Sequence, residues 1–434
     1  MQPKRTDDVE FAKAVDSEVK ASKGGSLVAI AQAADRPATN ELKSEPANNF
    51  SLTRGGPLYR LQARFSGAEK ERTRVTHRAF VITVITWMPL LVLSLMQGLA
   101  YNSHLRIPFL LDFAVNVRFL IAFPLLILAE SRIDHELQKT VGHFLKSGLV
   151  KEAELPSFEA VIKKVERLRD HDVPEIIMLA LAFIPSFTTR GLELLAGHVS
   201  TWHSLPGEAN STLSYAGWWF GLVSVPLFRF LLIRWTWRIL LWTYFLRQVS
   251  RIDLHFVPTH ADLAAGFGFL GEAQRSFAPI VFAGGSVISA QVANAIIYEG
   301  DTLSGMKSVM IGYCVFAMLL LTAPLLVVMP KLIKVRKKGL LEYGALEATY
   351  GQEFAAKWIK GKHQPGETPL GSDDIQSLAD MGNSFVFVRD MRVIPVDKRT
   401  FLVLAVAAAL PLIPMLIFVT PTDQLIRTLL KFLA

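Results

Sequence analysis

The sequence predicts an all-α polytopic membrane protein, a transmembrane helix bundle of about seven spans with amphipathic helices between them. Three observations predict it: apolar residues gathered in blocks of spanning length, lysine and arginine confined to alternate connections, and a helical period in the longer connections. The 434 residues are 51% hydrophobic and only 19% charged, below the roughly 25% charged content of soluble domains. Mean hydropathy is +0.33.

The blocks cover residues 79–99, 113–129, 174–196, 215–246, 277–298, 308–330 and 401–420. Each reaches or approaches the ~20 residues that cross a hydrocarbon core of about 30 Å. The second is the most polar, with Asp112, Asn116, Arg118 and Glu130 in or beside it. With the N-terminus inside, segments 54–78, 131–173, 247–276 and 331–400 carry 30 Lys and Arg, and those on the opposite side carry 4. Such asymmetry orients the chain with its N-terminus cytoplasmic and its C-terminus external. It also accounts for the net charge of +8 as topology, without nucleic acid as a partner.

Residues 1–53 read as a disordered N-terminal tail, polar and without sustained periodicity. Within it, 20–35 imitates a signal peptide, but its apolar run is too short and contains Gln32. Residues 54–78 form a basic juxtamembrane segment whose seven Lys and Arg suit anionic lipid headgroups. The region 79–330 holds six spans and, at 131–173, a helical hairpin. There Ile133, Leu137, Val141 and Leu145, then Phe158, Val161, Val165 and Leu168, recur at helical spacing, with Gly148 and Pro156 between.

The fourth block has 32 residues, about 48 Å as one helix. Trp218 and Trp219 at one end, and Trp235, Trp237 and Trp242 at the other, read as aromatic belts, with Arg234 and Arg238 reaching headgroups. In the fifth block, Gly285, Ser289 and Ala293, and Ser286, Ala290 and Asn294, form two small-residue faces for close helix packing. Residues 331–400 form a cytoplasmic helical segment. Tyr343, Leu346, Tyr350, Phe354 and Trp358 make one stripe, and a second helix starts at Ser372 and stops before Pro395. The last stretch, 401–434, combines the seventh span with a C-terminal amphipathic helix.

Three stretches, THADLAAGFGFLGEA (259–273), DIQSLADMGNSFVFVRDMRVIP (374–395) and PLYRLQARF (57–65), resemble a family of uncharacterised bacterial multi-pass inner-membrane proteins. The similarity covers most of the chain after residue 54. It implies a bacterial cytoplasmic membrane and carries no assigned activity.

Arg229 is the foremost candidate for function. It lies ten residues past Trp219, about 15 Å along the helix and so near the bilayer midplane. A lipid-facing charge there costs at least about 2.5 kcal/mol. It reads as a contact for an anionic substrate, as an arginine satisfied by backbone carbonyls, or as one snorkelling inward. Carbonyls are freed one turn before Pro89, Pro124, Pro185, Pro226, Pro324 and Pro411, each inside a different span. Arg118 and Arg190 are further substrate-binding candidates, and Asp112 and Glu193 are candidates to neutralise them in structural ion pairs.

His255, His260 and Asp262 are weak metal candidates that match no ligand motif. Gly266, Gly268 and Gly271 match a dinucleotide fingerprint whose strand-and-helix context is absent. Cys314 is the single cysteine, so no internal disulfide forms. No cofactor is indicated, and no catalytic motif appears, which leaves enzymatic activity undecided. Two functional classes remain: a transporter or channel for a small, anionic solute, and a membrane scaffold or sensor whose cytoplasmic helices bind a protein partner. A homo-oligomer fits either class.

Overall fold

The computed structural model describes residues 50–56, 71–101, 104–187, 201–204, 212–364, 366–369 and 371–418. The polar tail to residue 49, the signal-like stretch, the PLYRLQARF motif, Arg190, Glu193, the far part of the third apolar block and the C-terminal amphipathic segment lie outside them.

The described chain is helical, with only isolated β-bridges besides. In order come α1 (Glu71–Met96), α2 (Phe113–Lys146), α3 (Leu155–Asp170), α4 (Asp172–Phe183), α5 (Tyr215–Val249), α6 (Phe269–Glu299), α7 (Leu303–Leu326), α8 (Met329–Phe354), α9 (Asp373–Arg389) and α10 (Lys398–Ala409). α10 runs on as a tighter turn, Leu410–Phe418. Six helices are long and apolar enough to cross a membrane: α1, α2, α5, α6, α7 and α10 with its extension. The fold is that of a multi-pass membrane protein. Of the third apolar block, α4 and the turn Ile184–Phe187 are described.

Proline shapes the spans. It donates no N–H and its ring crowds the carbonyl one turn back. A widened π-turn, Arg118–Ala122, precedes Pro124, and another, Phe220–Ser224, precedes Pro226. The two meet through Phe119 and Phe220, whose rings lie edge to face at 6.2 Å. Pro89 frees the carbonyl of Ile85, which accepts from Trp219 Nε1 at 3.2 Å.

α6 is the hub, packed against α2, α7 and α10. Its small residues permit this, because a side chain on Gly285 would meet the Ala408 carbonyl at 3.0 Å and Pro411 at 3.1 Å. The α2–α3 hairpin turns at Gly148, whose φ of +70° is left-handed and free of strain only for glycine. The buried residues are Ile133, Leu137, Val141 and Phe144 on α2 and Phe158, Ile162 and Val165 on α3, which include most of the residues that spacing alone suggests. Phe144 and Phe158 meet with ring centres 5.9 Å apart, and α3 packs chiefly on α5. α8 and α9 form a second hairpin, tied by Asp374, which accepts from Lys357 Nζ at 2.8 Å and Trp358 Nε1 at 2.9 Å. These donors hold the Asp374 carboxyl below its ordinary range, and the Asp374 acceptor in turn raises the Lys357 pKa above its own.

Two readings from the sequence need correction. The tail assigned to 1–53 ends earlier, because Phe50, Ser51, Leu52 and Thr53 are buried in the bundle. The tryptophans at the far end of α5 are not all a belt: Trp235 and Trp242 are 2% and 0% exposed. An all-apolar helix surrounded by others has no sequence mark that separates a lipid-facing tryptophan from a core one.

Candidate functional site

The first polar cluster lies where α2 begins. Asp112 caps that helix, accepting from the Val115 N–H at 3.1 Å. Its carboxylate also accepts from Trp202 Nε1 at 2.9 Å and Asn294 Nδ2 at 2.8 Å. Asn116 accepts from Trp87 Nε1 at 2.8 Å and donates to the carbonyls of Phe109 and Asp112. Three separate segments are thereby joined through one buried carboxylate, and Asn116 ties in a fourth through Trp87. The ion pair expected between Asp112 and Arg118 does not form among the described residues. Asp112 is taken up by neutral donors, which suit a helix N-terminus as well as a cation does.

Arg118 instead sits in the widened turn, its guanidinium carbon 5.8 Å from the centre of the Phe228 ring. Its Nε is buried with no hydrogen-bond partner. Arg229 is half-buried, and its Nη1 reaches Ser186 Oγ at only 3.4 Å, a weak contact. It points toward the turn after α4, close enough to Arg118 for the two charges to repel. The structure thus brings Arg118 and Arg229 together. Beside them His203 stacks on Trp202 at 3.9 Å. Burial, aided by Arg118 and opposed by Asp112, lowers the His203 pKa from 6.5 to about 4.

A neutral His203 has a consequence for pH. The unfolded chain takes up a proton below about 6.5, while the folded chain resists until about 4. Stability is complete above that window and declines as pH falls through it. A thermal melt series across this range is expected to show a steeper acid loss for the wild type than for His203→Phe. Equal slopes would mean that the ring is not shielded.

The second cluster was not legible beforehand. Glu130, 4% exposed, pairs with Arg78 and with Arg238 Nη1, the latter at 2.9 Å. Arg238 is 3% exposed and lies 4.8 Å over the Trp235 ring, so it does not reach headgroups as the sequence suggested. Its Nη2 is buried without a hydrogen-bond partner. Arg234, half-buried nearby, makes no hydrogen bond or ion pair among the described residues. Both arginines line a small cleft with Arg169, Glu175, Leu52 and Gly55. Their only signal in the sequence is their position in an apolar block, where the neighbouring tryptophans give them the pattern of an interface.

The Phe50–Thr53 segment closes over this end of the bundle. Phe50 packs on Phe245 with ring centres 5.2 Å apart. Asp134 accepts from Ser51 Oγ at 2.8 and 2.7 Å, from Leu52 N at 2.9 Å and from Thr53 N at 3.2 Å.

The weak metal candidates are arranged differently. Asp262 accepts from the N–H groups of Ala264, Gly266 and Gly268, and lies 2.9 Å from His260 Nδ1. The intervening loop bends through Leu263 and Ala265, at φ of 53° and 54°, and Gly266 at 95°. The backbone wraps around a carboxylate that the chain itself supplies. Partial burial opposes ionisation of Asp262, but the three N–H donors and His260 outweigh it and hold the pKa below its usual value. Gly268 is required because a side chain there would meet Asp262 at 2.8 Å. This accounts for the glycine spacing without a nucleotide. No group of three or more potential metal ligands occurs among the described residues, and His255 takes no part in the loop. Arg392 donates to the Asp262 carbonyl and, through its backbone N–H, to that of Leu263 at 2.6 Å. Two of the three family-like stretches therefore dock on each other.

No family model, no curated protein and no solved structure matches the chain. The assignment therefore stops at the class, a multi-pass helical membrane protein.

Proposed function

We propose that the protein binds a small anionic solute among its helices and carries it across the bacterial cytoplasmic membrane, with its N-terminus inside and its C-terminus outside. The distribution of Lys and Arg supports that orientation. The observation that carries the transport reading is an excess of guanidinium donors over acceptors inside an apolar bundle. Arg118 Nε and Arg238 Nη2 are buried without partners, and Arg229 holds only a long contact to Ser186. Arg238 is paired with Glu130 through its other nitrogen, but guanidinium donors left unsatisfied in such surroundings are costly, and a bound anion supplies the missing acceptors. The paired π-turns before Pro124 and Pro226 sit beside Arg118, and such turns recur at functional sites.

Uptake of labelled chloride, phosphate and acetate into proteoliposomes tests the proposal. Saturable uptake of at least one is expected. Arg229→Leu should lower it roughly tenfold or more, the worth of a charge-assisted hydrogen bond, with an unchanged melting temperature. Wild-type protein inert toward all three, or a fully active Arg229→Leu variant, would overturn it.

A second reading, a scaffold or sensor, rests on the α8–α9 hairpin. Leu341 and Ile359 are 76% and 77% exposed there, and apolar surface of that kind suits a protein partner.

A further inference from the structure

We infer that the groove between α2, α6 and α10 is a binding site for one anionic phospholipid, its acyl chain in the groove and its phosphate at an arginine rim. The groove has a volume of about 850 Å³ and is open on one side. Its walls include Leu125, Phe282 and Val403, and Arg132, Arg275 and Arg399 stand at one end.

Depth matches one leaflet. From Arg399 to Leu410, both lining the groove, α10 rises about 16 Å, half of a hydrocarbon core of about 30 Å. From Glu136 back to Leu125 on α2 the distance is the same. The charged end lies where the long basic connections leave the bundle, the side on which anionic lipid attracts Lys and Arg.

The charges at the rim favour an anion. Glu272 pairs with Arg275, and Glu136 pairs with Lys139. Arg132 and Arg399 are exposed and make no ion pair or hydrogen bond among the described residues. Two free guanidinium groups over an apolar slot complement a headgroup of net negative charge, and a planar fork grips phosphate in a bidentate manner. Zwitterionic phosphatidylcholine brings its own cation and leaves the rim unneutralised. The site is separate from the arginines of the proposed solute path, so either reading stands without the other.

The test uses the full chain, purified in detergent and titrated with phosphatidylglycerol or phosphatidylcholine, with bound lipid counted by native mass spectrometry. One phosphatidylglycerol is expected to bind more tightly than phosphatidylcholine. The double variant R132Q/R399Q should weaken it roughly 30-fold, from about 1 kcal/mol for each basic group. Ala407→Trp, which fills the groove and leaves the arginines in place, should also displace it. Residues 54–78 are common to every variant, so their lipid contacts cancel. Equal affinity for the two lipids, or phosphatidylglycerol binding that survives either variant, would overturn the proposal. If the double variant does not fold, Arg399→Gln alone gives the same comparison.

Discussion

Glu130→Ala is expected to destabilise the protein by about 3–5 kcal/mol, the range for breaking a buried ion pair by removing one partner. Glu130 is the shared carboxylate of Arg78 and Arg238, and both lie against an apolar bundle with Arg234 close by. Removing it leaves the Arg238 guanidinium, 3% exposed, without a carboxylate in contact among the described residues and with little water to replace it. The size of the effect comes from that remaining charge and not from the worth of the pair. Adding Arg238→Met to Glu130→Ala should therefore recover much of the loss, since an apolar chain of similar length removes the uncompensated charge. Denaturant unfolding in micelles, followed by tryptophan fluorescence, measures both. If the double variant is no better than the single one, the cost lies in packing around Glu130 and the electrostatic account fails.

Phe50→Ala is expected to release the Phe50–Thr53 segment from the bundle. Phe50 is 1% exposed and packs on Phe245, and truncating a buried phenylalanine costs about 3–5 kcal/mol. The segment is short and joins the bundle at one end, so the loss appears as local opening and not as global unfolding. Trypsin cleavage after Arg54 reads that opening. Its rate should rise about 100-fold or more, while the midpoint of global unfolding stays nearly constant. Asp134→Ala should act in the same direction, because it removes the acceptor shared by Ser51, Leu52 and Thr53. An unchanged cleavage rate in both variants would mean that other contacts hold the segment.

The membrane class, most of the helices and the places where they bend follow from local chemistry. Twenty apolar residues in a row need no partner to be recognised as a span. Proline acts on the carbonyl one turn back wherever it sits, so Pro124 and Pro226 announced the disturbed turns at Arg118–Ala122 and Phe220–Ser224. Gly148 marked a turn because few other residues accept its φ. The small faces of α6 were equally legible, since side-chain size is a property of the residue itself.

Which polar groups meet is a matter of tertiary structure. Asp112 and Arg118 are six residues apart, yet Asp112 bonds to Trp202 and Asn294, far along the chain. Glu130 and Arg238 are separated by 108 residues, and nothing local to either announced the other. A helix in a membrane is apolar on all sides, so its sequence period does not say which tryptophan or arginine faces lipid and which faces a neighbour. Trp235 and Arg238, which the sequence places at the interface, are buried in the bundle. The Asp262 loop shows the converse. Its glycine spacing looked like a phosphate cradle, and folding turned the same N–H groups onto a carboxylate four residues before the first glycine. Composition and period determined the helices and the membrane. Long-range packing, which alone decides where a buried charge finds its partner, determined the candidate sites.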